Sequence, residues 1–277
     1  MISRRQIKVE REGLIGLKNL VEVYEEIAAA RMQKVRGAVL QSRLFMQGLL
    51  DVFSRVRAAY KKSNLKDSKQ SLRTSRQVAV FISANTGLYG DIVDRTFEKF
   101  ASYVRANKPD VVVLGKLGAK MMTERLPEVL YNYFDFSDEG IDLEAFDVVM
   151  RYLIQFESII VFHGQFSSIL SQEPRQSVVS GEKIVVNEIV RGADYLFEPD
   201  VKQIARVFEG EILASLFEQT LHESALAKFA SRLLSLDRSV DSIDRRVERV
   251  RIEERKVTHR IRNRKQLATI SGISLWG

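Results

Sequence analysis

The sequence predicts an α/β middle domain, a mostly parallel sheet with flanking helices, inserted between long N- and C-terminal helices that form an antiparallel left-handed coiled coil. Three observations carry this. The C-terminal arm holds an unbroken heptad pattern. The N-terminal arm carries a comparable apolar stripe. Between them, short β-rich apolar runs alternate with helical patterns. The bounds that follow are 1–62 for the N-terminal coiled-coil helix, 63–76 for a linker, 77–195 for the α/β domain and 196–277 for the C-terminal coiled-coil helix.

The N-terminal arm, from about Ile7 to Tyr60, contains no proline. Its apolar residues recur at Leu14, Leu17, Val21, Tyr24 and Ala28, and again at Phe45, Leu49, Phe53, Val56 and Tyr60. Steps of three and four place such residues on one helix face. Gly13, Gly16, Gly37 and Gly48 each lower helix propensity by about 1 kcal/mol, so bends or fraying are expected beside them. The polar run Lys61–Arg76 reads as a linker.

In the middle section, Gln77–Ser83 reads as a buried strand ended by Asn85-Thr86-Gly87. A helix fits Ile92–Val104, a second strand Val111–Gly115, a helix Leu117–Glu124 and an amphipathic helix Leu143–Phe156. Ser158–Leu170 and Gln176–Val190 read as two strands around a turn at Glu173-Pro174-Arg175.

The C-terminal helix begins near Pro199-Asp200 and meets no Gly or Pro between Glu211 and Ser271. Its seam is Leu226, Phe229, Leu233, Leu236, Val240, Ile243, Val247, Val250, Glu254, Val257 and Ile261, in alternating steps of three and four. Only Glu254 is not apolar. That rhythm predicts a left-handed coiled coil. A helix from Asp200 to Ser271 is on the order of 100 Å long, too long to bury its stripe on a small domain. The N-terminal arm is the available partner.

Charge is concentrated on this arm. Between Glu223 and Arg264 twelve Lys/Arg face seven Asp/Glu, against a net charge of +7 for the whole chain. A solvated face with i,i+4 pairs such as Asp241–Arg245 accounts for part of it; a basic shaft matched to acidic surroundings is the sharper reading. Nucleic acid is disfavoured because the basic positions lack interleaved aromatics. The absence of cysteine removes thiolate metal sites and fits a reducing, cytoplasmic setting. No apolar run is long enough to span a membrane, and no apolar stretch follows the basic N-terminus to make a secretory signal.

Catalytic signals are weak. Asn85-Thr86-Gly87-Leu88-Tyr89-Gly90 follows a strand and opens a helix, the position of a phosphate loop. It lacks the third glycine of a dinucleotide fingerprint and the Gly-Lys-Ser/Thr end of a P-loop, so a tight strand-to-helix turn is the simpler account. Asp135, Asp138, Glu139 and Asp142 form an acidic cluster without the spacing of a calcium loop, and read as a helix-capping loop. His163, His222 and His259 are far apart and read as structural or surface residues. No catalytic residue, cofactor or metal ligand is expected.

Four segments resemble the gamma subunit of F-type ATP synthases. Ile27-Ala-Ala-Ala-Arg-Met32 is similar to that family's V-A-A-[AS]-[KR]-[ML], and Ser83-Ala-Asn-Thr-Gly-Leu-Tyr-Gly90 to its T-[SD]-D-[RK]-G-L-C-G. Asp194-Tyr-Leu-Phe-Glu-Pro199 resembles Y-x-[YF]-E-P, and Asn263–Ser271 resembles N-[RK]-x-R-Q-A-x-I-T, keeping Asn263, Ala268, Ile270 and Ser271. The sequence departs from the pattern at Asn85, where the family has Asp, at Leu20–Tyr24, and in the distal Gly272–Gly277.

The resemblance implies a central rotor shaft with no chemistry of its own. Its implied partners are the alpha and beta subunits of a catalytic ring, an epsilon-like subunit and a membrane c-ring. The implied location is peripheral, on the cytoplasmic face of a bacterial inner membrane. Arg31, Arg245, Arg246, Arg249, Arg251, Arg264, Ile270 and Trp276 are the candidate contacts to the ring. A gamma-like paralogue serving as a non-rotary scaffold of another ATPase assembly remains the alternative.

Overall fold

The computed structural model describes residues 4–62, 74–138, 140–179 and 201–273. The expected strand beyond residue 179, the Asp194–Pro199 motif, Glu139 and Trp276 lie outside the described residues. The elements are α1 (Arg4–Lys62), β1 (Thr74–Ile82), α2 (Ile92–Asn107), β2 (Asp110–Leu114), α3 (Lys116–Arg125), β3 (Asn132–Phe134), α4 (Leu143–Leu153), β4 (Phe156–Phe166), β5 (Gln172–Val178) and α5 (Val201–Ile273). They fall into two compact units: residues 29–232, and residues 1–28 with 233–277.

In the 29–232 unit a five-stranded mixed sheet has the order β3-β2-β1-β4-β5. The first four strands are parallel and β5 is antiparallel to β4. Residue alternation along β1 feeds two cores. Val78, Val80 and Ile82 point to a layer that includes Val149 and Leu153 of α4 and Leu213, Phe217 and Leu221 of α5. On the other face Phe81 meets Phe97 and Phe100 of α2 at ring-centroid distances of 5.5 and 5.2 Å, and Phe100 meets Phe162 of β4 at 5.5 Å. Both faces are covered, which is why β1, β2 and β4 read as continuous apolar runs. Met32, Val35, Val39, Met46 and Phe53 of α1 are buried in this unit.

Several elements differ from expectation. A turn is expected at Glu173-Pro174-Arg175, but these residues lie inside β5, at the sheet edge where a missing N–H is tolerated. The reversal is Ser167–Ser171, closed by Ser168 N donating to Ser171 O (3.0 Å) and by Gln172 Nε2 donating to Ser168 O (2.8 Å) and Ile169 O (2.7 Å). Residues 74–76, assigned to the linker, extend β1. The three-residue strand β3 was not anticipated; it is too short to show a period. Helix α1 runs through all four glycines without interruption.

In the other unit, residues 4–28 of α1 run in the opposite direction to the stretch of α5 they face, as the contacts Arg11–Glu254 and Lys18–Asp244 require. The inward residues of α1 are Ile7, Arg11, Leu14, Lys18, Val21, Glu25 and Ala28, again in steps of four and three. The expected stripe had Leu17 and Tyr24 in place of Lys18 and Glu25, yet Leu17 is 49% and Tyr24 46% exposed. The seam here admits Arg11 and Lys18 because α5 answers both. Arg11 Nη1 donates to Glu254 Oε2 at 2.7 Å, which partners the single polar position of the α5 seam. Lys18 Nζ donates to both Asp244 carboxylate oxygens at 2.8 Å. Polar seam positions fix register at some cost in stability. Glu25, raised by burial and by Asp237, Glu22 and Glu26, is the position where like charges gather.

Candidate functional site

The chemistry of the 29–232 unit converges on the carboxyl ends of the parallel strands. Strand order reverses direction between β1 and β4, and the crevice outside such a reversal is where open α/β sheets usually hold ligands. Here the crevice is filled by α5. Gly90, at the end of the β1–α2 turn with φ +60, lies so close to α5 that a Cβ would sit 2.5 Å from Ser231 Oγ. Gly164 near the end of β4 has the same role: its Cβ would meet Ala227 Cβ at 3.1 Å and Ile92 Cγ1 at 2.9 Å. Of the two glycines that suggested a phosphate loop, Gly90 therefore serves close approach of a helix, while a Cβ at Gly87 would meet nothing within 4 Å.

Two basic residues of α5, Lys228 and Arg232, four apart and hence on one face, reach the turn after β1. Lys228 is buried; its Nζ donates to Ser83 O (2.8 Å) and to Asp138 Oδ1 (3.0 Å). The other oxygen of Asp138 accepts from Asn85 N (2.8 Å), Thr86 N (3.0 Å) and Thr86 Oγ1 (3.2 Å). Arg232 donates to Gly87 O (2.6 Å), Leu88 O (3.3 Å) and Thr86 Oγ1 (3.2 Å), and its guanidinium lies 3.9 Å from the centre of the Tyr89 ring. A cation over an aromatic face is attracted by the ring quadrupole. Leu88 itself is held at φ 67, an uncommon conformation for a branched side chain, between these contacts.

Burial works against both charges of the central pair. It pulls Lys228 down, with Asp138 opposing. It pushes Asp138 up, but Lys228 and the two backbone N–H groups outweigh that, and the carboxyl stays below its ordinary value. The pair thus pins the turn after β1, the loop after β3 and α5 together. Asn85, which stands where the resembling family carries Asp, donates through Nδ2 to Asp135 (2.7 Å) and accepts from Lys116 N (2.8 Å). The carboxylate that serves this turn comes instead from Asp138, 53 residues further on.

The rest of the acidic cluster has separate tasks. Asp142 caps α4 by accepting from Glu144 N at 3.1 Å, and Asp135 lies 3.4 Å from Lys116 Nζ. Among the described residues no group of three or more His, Asp or Glu is arranged to hold a metal ion. His163 is buried, its Nδ1 bonded to Gly164 O (3.0 Å) and its Nε2 to Ser177 Oγ (2.9 Å); burial lowers its pKa, which keeps it neutral. His222 lies 3.5 Å from Glu218, and His259 is exposed.

The structure distributes the remaining candidates along the helices. Of the seam residues, Leu226, Phe229, Leu236 and Val250 are buried, Leu233, Val240, Ile243, Val247 and Val257 are half-buried, and Ile261 is 41% exposed. Phe229 packs edge-on against Tyr89 at 6.0 Å, so the first two belong to the 29–232 unit. Ile261 lies one heptad beyond Glu254, the residue that meets Arg11. Arg245, Arg246, Arg249, Arg251 and Arg264 are exposed and Arg31 is half-buried. Arg246 bonds Glu10 across the helix pair at 2.7 Å, Arg245 lies 4.0 Å from Asp241, and Arg251 lies 3.9 Å from Glu248. Ile270 is 63% exposed. Sequence reasoning missed Asp138, Lys228 and Arg232 as one group. The available signal was the i,i+4 pair of basic residues set beside the apolar seam.

A family model described as ATP synthase matches residues 3–258. The ATP synthase gamma chain of Protochlamydia amoebophila is 20% identical over 285 residues, covering 98% of both chains. That of Desulforamulus reducens is 24% identical, covering 82% of this chain and 81% of its own. Among solved structures, a chain of the Euglena gracilis mitochondrial ATP synthase (OSCP/F1/c-ring) superposes with TM-score 0.67 at 14% identity, covering 98% of this chain and 93% of that one. A chain of the Tetrahymena thermophila mitochondrial ATP synthase central stalk/c-ring gives TM-score 0.58, covering 79% and 99%.

Proposed function

Because this chain belongs to the ATP synthase gamma family, the non-catalytic central stalk of F-type ATP synthase, we propose that it turns inside a ring of alpha and beta subunits and is driven from a membrane c-ring. The helices pair as a left-handed antiparallel coiled coil, and residues 77–195 form the part that meets an epsilon-like subunit and the c-ring, between helical arms 1–62 and 196–277 joined through 63–76. The site of action is the membrane periphery, on the cytoplasmic face of a bacterial inner membrane. Among the described residues no helix is long and apolar enough to cross a membrane.

The observation that best supports a mechanical role is the way α5 fills the switch-point crevice. In an enzyme on this sheet, that space would belong to the substrate. Here Lys228 and Arg232 enter it and bind the turn after β1, which ties the helix to the sheet through buried, charge-assisted bonds. Torque needs such a joint, because exposed ion pairs yield easily under load.

Two experiments follow. Isolated from its native source, the chain is expected to carry ATP synthase alpha and beta subunits with it. Purified alone, it is expected to bind no ATP by calorimetry. Recovery with unrelated partners, or micromolar ATP binding lost on changing Gly87 and Gly90, contradicts the proposal.

Ring contact is assigned to Arg31, Arg245, Arg246, Arg249, Arg251, Arg264, Ile270 and Trp276. Charge reversal at Arg246 and Arg249 is expected to lower the thermal midpoint of the isolated chain only slightly, since both are exposed and the Arg246–Glu10 pair it breaks is an exposed one. It is expected to lower the yield of reconstituted complex, and raised salt should mimic part of that loss by screening. Unchanged yield and turnover would reduce these arginines to a solvated face.

A further inference from the structure

A cavity of about 150 Å³ lies beside the Lys228–Asp138 pair, at the carboxyl ends of β1 and β2. It is enclosed on three sides: Val35 and Ala38 of α1, Ile82 and Leu114 at the strand ends with Phe136 and Ile141 of the loop after β3, and Leu221 and Ala225 of α5. Most of this lining is apolar. Engineered apolar cavities of about this size take up benzene. Its polar edge carries Lys34, His222 and Lys228 against a single carboxylate, Asp138. Asp138 is already engaged by Lys228 and two backbone N–H groups. Among the described residues Lys34 has no ion-pair partner. The opening is therefore cationic and the body apolar.

We propose that this cavity is a binding site for a small apolar carboxylate, with a ring or short branched chain in the cavity and the carboxylate at Lys34. It adjoins the crevice that α5 fills, sharing Ser83, Asp138 and Lys228 with it, and extends from there to α1. A ligand there touches α1, the sheet and α5 at once, and its occupancy stiffens the junction of the three. The site does not depend on the rotor reading, since binding is measured on the chain alone.

Benzoate is the probe, titrated into the full chain and followed by two-dimensional NMR and by the thermal midpoint. Benzene tests the body alone and acetate the anion alone. Benzoate is expected to bind saturably, to shift resonances of the lining residues, and to bind at least about tenfold more tightly than either control. Lys34→Gln is expected to weaken benzoate about tenfold, the scale of one charge-assisted hydrogen bond, without changing benzene binding. Ala38→Leu and Ala225→Leu fill the space from opposite helices, and each is expected to abolish binding while the chain stays folded. Equal affinity for acetate, full affinity in Lys34→Gln, or full affinity in a folded cavity-filling variant overturns the proposal. Where both filling variants unfold, the Lys34→Gln result decides. Failure of the chain to assemble with ATP synthase subunits would leave this binding result unchanged, so the two readings fail separately.

Discussion

Replacing Asp138 by alanine is expected to destabilise the isolated chain by about 3–5 kcal/mol, the usual cost of leaving one charge of a buried pair unpartnered. Lys228 would keep Ser83 O as its acceptor at a buried site, and the N–H groups of Asn85 and Thr86 would lose their carboxylate. The double variant Asp138→Leu with Lys228→Met should recover much of the loss, because it removes both desolvated charges together. The pH dependence follows from the same contacts. The folded-state pKa of Asp138 lies below its unfolded value. The unfolded chain therefore binds the proton more readily, and this contribution is fully present above the ordinary carboxylate range and is lost as pH falls through the folded pKa. Denaturant unfolding from neutral to acid pH should show wild type losing this increment and the double variant lacking it. A single variant as stable as wild type would mean the pair does not hold α5 to the turn.

Leu236→Asp is the second large expected effect, about 3 kcal/mol or more. Leu236 is only 6% exposed in the 1–28/233–277 unit, and a carboxylate there would be desolvated. It also adds to the like charges already gathered at Glu25 and Asp237. Circular dichroism and thermal unfolding measure the result. Wild-type helicity and midpoint in the variant would mean that this stretch of α5 is not packed through Leu236.

The sequence displayed the parts of this fold that rest on long periods. The α5 heptads and the alternation of strands and helices could be read because apolar residues mark them without interruption. The α1 seam was misread for a physical reason: Arg11, Lys18 and Glu25 stand in it, while Leu17 and Tyr24 face outward, so hydrophobicity pointed to the wrong rows. Only the partner helix reveals why charge is tolerated there, since Glu254 and Asp244 answer it. Pro174 misplaced a turn because an edge strand accepts proline as readily as a turn does. The Asp138–Lys228–Arg232 group was hidden by separation: Asp138 and Lys228 lie 90 residues apart, and no local spacing joins them. Asp138 looked like one member of an acidic capping loop, a role that Asp142 fills.

The central claim is that this chain turns as the stalk of an F-type ATP synthase. The direct measurement is single-molecule rotation. The chain is reconstituted with alpha and beta subunits from the same source, the ring is fixed to a surface, and a bead is attached through a cysteine introduced in α2, which is straightforward in a chain with no native cysteine. Adding ATP is expected to drive unidirectional, stepwise rotation of the bead, stopped by removing ATP. A stable complex that hydrolyses ATP while the bead stays still, or no complex at all, would contradict the account.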